Sequence, residues 1–299
     1  MKRLILICLT LLTACTSAVT VTPQATMPSS TSAPTVTAPA TSAAQPKVKN
    51  PTVAPVSANA DFVVPEILGR PTDHSITLNV VPVAAMDIVV EYGTTAGTYD
   101  QQSAAVSAPS GSPIEITLDQ LRANTRYYYR LRYANSIGPE RNFMTQRAAG
   151  STFTFGLQGD SHPERVNKQF DADLYVRTLL SAASDQPDFY LTIGDDFSVD
   201  ALKTVNPQTV AAQYLNQRNW LGRVGAPVFL VNGNHEQASL ANLNGTADNV
   251  AVWAQTARNA YYPQPAPDAF YTGDVEPVEF IGQLRDYYAF TWGDALFVV

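Results

Sequence analysis

The chain has 299 residues, 45 % apolar and 10 % aromatic, which is long enough for two domains with buried cores. Only 15 % of residues are charged and the formal net charge is −7, so no basic face exists to neutralise phosphates and nucleic acid is excluded as the main partner. Small phosphorylated substrates stay admissible, because bound metal ions would supply local positive charge.

Lys2 and Arg3 form a charged start, and Leu4 to Leu12 an apolar run too short to cross a bilayer, as in a secretory signal. The run ends in Leu12-Thr13-Ala14-Cys15, which resembles the lipobox of bacterial lipoproteins. That resemblance implies a signal peptide over 1–15, lipidation of Cys15, and an extracytoplasmic protein anchored to a membrane by its lipid. An ordinary signal with an incidental cysteine is the alternative. Both cysteines, Cys8 and Cys15, lie in this leader, so its removal leaves no internal disulfide.

Residues 16–58 are Thr, Ser, Ala and Pro with almost no charge. Such a segment cannot bury enough apolar surface to offset its ordering entropy, and it reads as a disordered stalk. From 59 to 147 the apolar residues alternate: Ile76, Leu78 and Val80, then Ile88, Val90 and Tyr92, then Ile114, Ile116 and Leu118, then Tyr127, Tyr129, Leu131 and Tyr133. This period predicts an antiparallel β-sandwich. Leu121 to Tyr129 resembles the Leu-x-x-x-Thr-x-Tyr corner of fibronectin type III-like domains, where a tyrosine hydroxyl ties strand to loop. His74 reads as a loop histidine rather than a ligand.

Beyond residue 148 strands alternate with helical stretches, over 169–184 with Phe170, Leu174, Leu179 and Leu180 at near-helical spacing, over 208–223 and over 248–261, predicting an α/β domain around a parallel, buried sheet. Three strands run into polar turns: 152–158 into Gly159-Asp160-Ser161-His162, 189–193 into Gly194-Asp195-Asp196, and Val228 to Val231 into Asn232-Gly233-Asn234-His235-Glu236. The first two turns alone read as helix caps, whereas in the third the neutral Asn234 and His235, directly after a buried strand, have little structural purpose. The ordered trio resembles the calcineurin-like metallophosphoesterases, an α-β-β-α sandwich family with two metal ions a few ångströms apart.

The resemblance implies that Asp160 and His162 hold the first metal, Asp195 bridges both, and Asn234 holds the second. His235 would contact the phosphate and assist the leaving oxygen, with Glu236 orienting it. Asp196 reads as a neighbour, and Arg165 as a helix-start arginine. A fibronectin-like module ahead of this pattern is similar to the purple acid phosphatase branch, with two departures. Ser198 stands where that branch has its colour-giving tyrosine, and His162 is an extra histidine. Iron, zinc or manganese stay open, as does oligomeric state.

No histidine follows His235, whereas the family has further histidine ligands, and the chain stops at Leu296-Phe297-Val298-Val299 in what reads as a buried strand. The expectation is a C-terminally incomplete domain over 148–299 that does not by itself hydrolyse phosphomonoesters. A phosphodiesterase or nucleotidase on the same scaffold, or a surface-anchored binding protein, are the competing readings.

Overall fold

The structure is a computed structural model that describes residues 61–299 except 167, 200–201 and 238–243. The leader, Cys15 and the stalk lie outside the described residues. The described residues cluster as one unit.

The alternating segments form two antiparallel sheets. One contains β1 (Ile67–Gly69), β2 (Ile76–Val80) and β6 (Ile114–Leu118), in the order β1-β2-β6. The other contains β3 (Met86–Gly93), β4 (Gln101–Gln102), β5 (Val106–Ala108), β7 (Arg126–Tyr133), β8 (Ser136–Ile137) and β9 (Arg141–Met144), with β3 and β7 paired at its centre. The predicted inward residues make one core. Ile76, Leu78, Val80, Ile88, Val90, Ile116, Leu118, Tyr127, Tyr129, Leu131 and Tyr133 are all buried there. The Tyr127 hydroxyl accepts from the Arg122 backbone N–H at 2.9 Å, which ties the strand to its preceding loop.

β2 departs from simple alternation, because Thr77 and Asn79 on its other face are buried as well. The reason is tertiary. Arg218, fully buried, donates to the Asn79 side chain and carbonyl, to Pro65 O at 2.9 Å and to Tyr261 O at 2.9 Å. Asn79 Nδ2 in turn donates to Ala260 O at 2.9 Å. Guanidinium geometry suits this task, since its donors fan out in one plane to several acceptors at once.

The second half contains β10 (Phe155–Gln158), α1 (Ala172–Ser184), β11 (Phe189–Thr192), α2 (Pro207–Leu221), β12 (Val228–Phe229), the single turn α3 (Asn234–Gln237) and α4 (Val250–Tyr261). β13 (Thr272–Gly273), β14 (Tyr288–Trp292) and β15 (Ala295–Val298) follow. Asp171, Asn206 and Asn249 cap the three long helices by accepting from the N3 backbone N–H. β10, β11 and β12 form a parallel sheet in that order, and β13, β14 and β15 an antiparallel one.

Period two in β11 assigns its faces. Tyr190 points to the helices, with Leu179, Val210, Tyr214, Ala254 and Ala257. Phe189 and Leu191 point the other way and pack, with Phe229, on Tyr271, Tyr288, Phe290 and Trp292. Fully burying one such aromatic contributes about 1.5–3 kcal/mol, so this seam is a major part of the core. The described residues therefore supply α, β and β layers, in that order.

Three sequence expectations need correction. β10 is an edge strand with Phe155 and Leu157 exposed, not a strand buried on both faces. Leu174, expected on the inner face of its helix, is 54 % exposed. Tyr175, Leu179 and Ala182 set that face at i, i+4 and i+7, leaving Leu174 one residue, about 100°, away. β15 is half-buried rather than buried: Phe297 stacks on Phe290 at 5.1 Å, while Leu296 and Val298 face out.

Candidate metal centre

The three parallel strands end side by side, so their turns meet at one edge of the sheet, where open α/β folds gather polar groups. Hydrogen bonds lace the turns together. Asp160 N donates to Gly194 O at 3.1 Å, and His162 N to Asp196 O at 3.0 Å. The second and third turns approach closely enough that a Cβ on Gly194 would sit 2.5 Å from Gly233 N. A Cβ on Gly233 would sit 2.1 Å from Asp195 Oδ1. Only glycine permits either contact.

Asp160, His162 and Asp195 all have left-handed backbones, with φ of 57°, 43° and 54°. Each such residue costs about 1 kcal/mol or more and persists only where its surroundings impose it. All three are residues singled out as ligands from the sequence.

Donor atoms of His162, Asp195 and His235 lie within 4.8 Å of one another. The two imidazoles meet edge to face with centroids 5.2 Å apart. His235 N donates to Asp195 Oδ1 at 3.1 Å, and His235 O accepts from Val199 N at 3.1 Å. The Asp160 carboxylate is exposed and stands outside this close set. Asn234 is exposed at the start of α3. The turns thus bring His162, Asp195 and His235 together, with Asp160 and Asn234 on the flanking backbone.

His162 is 5 % exposed and its Nδ1 lies 2.9 Å from Glu164 Oε1. A carboxylate there requires the proton on Nδ1, which leaves the Nε2 lone pair free to bind an ion. Glu164 Oε1 also accepts from Ser198 N at 3.1 Å, and this fixes the carboxylate itself. Sequence reasoning passed over Glu164, although a carboxylate two residues from a candidate histidine ligand was its signal.

Glu236 is fully buried and acts on backbone. Its Oε2 accepts from Asp195 N at 3.0 Å and Gly233 N at 2.8 Å. Its Oε1 accepts from Asp196 N, and from Phe197 N at 3.2 Å. Where the sequence suggested that Glu236 orients His235, these bonds instead staple the second turn to the third. Burial pushes the Glu236 carboxyl upward, against the four N–H groups that favour its anion.

Asp196, also buried, points away from the cluster into a polar network. It accepts from Gln158 Nε2 at 2.9 Å and Ser161 Oγ at 3.2 Å, and burial pushes it up to about 7. It is a structural neighbour, as the sequence suggested. Arg165 donates to Gln169 Oε1 at 3.0 Å and Ser198 Oγ at 3.4 Å. His74 lies apart, paired with Asp73 at 2.5 Å, a carboxylate the sequence reading had overlooked.

The third strand is held by side chains acting as a neighbouring strand. Leu230 N donates to Gln264 Oε1 at 2.8 Å, Gln264 Nε2 to Val228 O at 3.0 Å, and the buried Arg258 to Leu230 O at 2.6 Å. The backbone that delivers Asn234 and His235 is thereby fixed on its open side.

The donor set fits a metal. Two imidazoles and a carboxylate, one imidazole oriented by a second carboxylate, are the ligand types that zinc, iron and manganese accept.

No protein-family model matches the sequence, and no curated protein matches it. Among solved structures, one of PhoD aligns over 82 % of this chain and 52 % of its own, at 17 % identity and a TM-score of 0.59. The sensor domain of the anti-sigma factor RsgI4 from Pseudobacteroides cellulosolvens aligns over 28 % of this chain at 14 % identity, and covers 92 % of that domain with a TM-score of 0.24. A fibronectin type III domain of human contactin 1 aligns over 29 % of this chain and 78 % of its own, at 12 % identity and a TM-score of 0.23. The two small-module likenesses carry no argument. The chain spans about half the length of the PhoD structure, and the likeness is one of fold alone.

Proposed function

We propose that the protein is a metal-dependent phosphoric ester hydrolase, acting on phosphomonoesters, with its chemistry at the edge formed by the three turns. The observation that carries this reading is the convergence of His162, Asp195 and His235 donor atoms within 4.8 Å, on a fold shared with PhoD. His162 Nε2, an Asp195 carboxylate oxygen and His235 would hold the ion, with Asp160 and Asn234 as the candidates for a second. A bound divalent ion supplies Lewis acidity and brings the pKa of water towards neutrality.

The chain's own residues do the rest. Glu164 holds the tautomer and tilt of His162. Glu236 fixes the Asp195 loop against the His235 loop. Asn234 offers a neutral amide at the exposed rim, adding no negative charge to repel an anionic ester. His235 serves here as the third ligand, in place of the leaving-oxygen role that the resemblance implied. We also propose lipidation of Cys15 and a membrane-anchored, extracytoplasmic location, tested by metabolic labelling with palmitate against Cys15→Ser. Likewise the sandwich is assigned to the fibronectin type III class on its Tyr127 tie.

The test uses p-nitrophenyl phosphate and its bis ester with manganese, zinc or iron, alongside metal-dependent binding of inorganic phosphate. Support is metal-dependent phosphate binding lost at least 100-fold in His162→Ala; metal-dependent hydrolysis favouring the monoester would support the activity and overturn the expectation that this chain does not hydrolyse by itself. Faster turnover of the diester would move the reading to a diesterase. Neither hydrolysis nor metal-dependent phosphate binding would overturn it.

A further inference from the structure

A cavity of about 300 Å³ lies where α2 crosses the sandwich, sharing no residue with the metal-ligand cluster. Phe62, Leu131, Tyr133 and Pro139 from the sandwich line one side, and Trp220 and Arg223 from the end of α2 the other. Ligand sites favour such junctions, and this volume is at the small end of those that hold organic ligands.

Two features separate it from a packing gap. Arg223 forms no ion pair among the described residues, and burial alone pushes its guanidinium downward, with no carboxylate compensating. Its neighbour Arg141, by contrast, is paired with Glu66 at 2.5 Å. Second, Arg223 Nε, Trp220 Nε1 and Arg141 Nε are shielded from solvent and have no hydrogen-bond partner among the described residues, although the charge of Arg141 is met by Glu66. Buried donors are nearly always satisfied, so three such donors on residues lining one cavity mark a place for an acceptor. The Arg223 guanidinium lies 5.5 Å from the Trp220 ring centroid, which holds the cation against the aromatic wall.

We propose that this cavity binds a small monoanion with an apolar body, an aryl or short acyl carboxylate. The body fills the space between Phe62, Leu131 and Trp220. The anionic end accepts from the Arg223 guanidinium. A cation alone would attract any anion; the aromatic and aliphatic walls select one that carries hydrocarbon. A neutral ligand would leave the guanidinium uncompensated.

The test titrates the full chain, in chelator so that no metal site competes, with 2-naphthoate, octanoate and the neutral 2-naphthamide, by calorimetry. Naphthoate is expected to bind at least tenfold more tightly than naphthamide, and the octanoate arm separates aryl from acyl ligands. Arg223→Met is expected to bring naphthoate down to the affinity of the amide while leaving the amide unchanged. Asn219→Trp, which fills the cavity with Arg223 intact, is expected to abolish both. It also keeps the proposal testable should Arg223→Met fail to fold. Equal affinities for naphthoate and naphthamide, or undiminished naphthoate binding in Asn219→Trp, would overturn it.

Discussion

Glu236→Gln is nearly isosteric, yet the structure makes it costly. The two carboxylate oxygens each accept from two backbone N–H groups, Asp195 and Gly233 on one, Asp196 and Phe197 on the other. A glutamine can satisfy one pair with its carbonyl oxygen. Its NH2 must then face the other pair, setting donor against donor whichever way the amide is turned. Two bonds to a charged acceptor are lost, at about 1.5–3 kcal/mol each, and the surviving two lose their charge assistance. The expected destabilisation is about 3–5 kcal/mol, a large share of the 5–15 kcal/mol typical of a domain. Urea unfolding followed by tryptophan fluorescence reads it directly. Metal affinity is expected to fall in parallel, because the lost pair frees one end of the Asp195 turn. A Glu236→Gln midpoint corresponding to under about 0.5 kcal/mol would refute the stapling argument.

Other outcomes follow from the same geometry. Glu164→Gln should leave the urea midpoint nearly unchanged but weaken metal binding about 10–100-fold, measured by calorimetry, because an amide oxygen can keep the contacts to Ser198 N and His162 Nδ1 while the charge that supports His162 is lost. Arg218→Met should cost about 3–5 kcal/mol in the same unfolding assay, since it strands the buried Asn79 side chain and the Pro65 and Tyr261 carbonyls. Glu91 is bonded by Arg130 and Arg132, which hold its carboxyl below the usual value of 4.5. A depressed acid adds stability above its unfolded value that is lost as pH falls through the folded one. Glu91→Gln should therefore cost about 0.5–1 kcal/mol at neutral pH and show a shallower loss of stability below pH 4.5.

What the sequence made legible was whatever depends on local period and turn chemistry. Alternation at 76–80, 88–92 and 127–133 located the sandwich core, because side chains in a strand must alternate. The three turns were visible because glycine followed by metal-capable residues recurs after each apolar run. Partner identity was not visible. Nothing local indicates that Asn79 meets Arg218 from 139 positions away, so β2 read as half-exposed when both its faces are covered. Glu236 read as a companion of His235 because they are adjacent in the chain, whereas its bonds reach back to residues 195–197. Leu174 was placed inward because apolar residues are counted alike by a periodic pattern. The helix face is set by what packs on it, and here that is Tyr175 and Leu179. Edge strands were misread for a related reason: the sequences of β10 and β15 do not state how many neighbours a strand has.

The most direct test of the metal centre is cobalt(II) titration of the chain followed by visible absorption, set beside His162→Ala and Glu164→Gln. The account predicts saturable d–d bands in the wild type, none in His162→Ala, and a weaker-binding titration with a similar endpoint in Glu164→Gln. Identical featureless titrations for wild type and His162→Ala would contradict it.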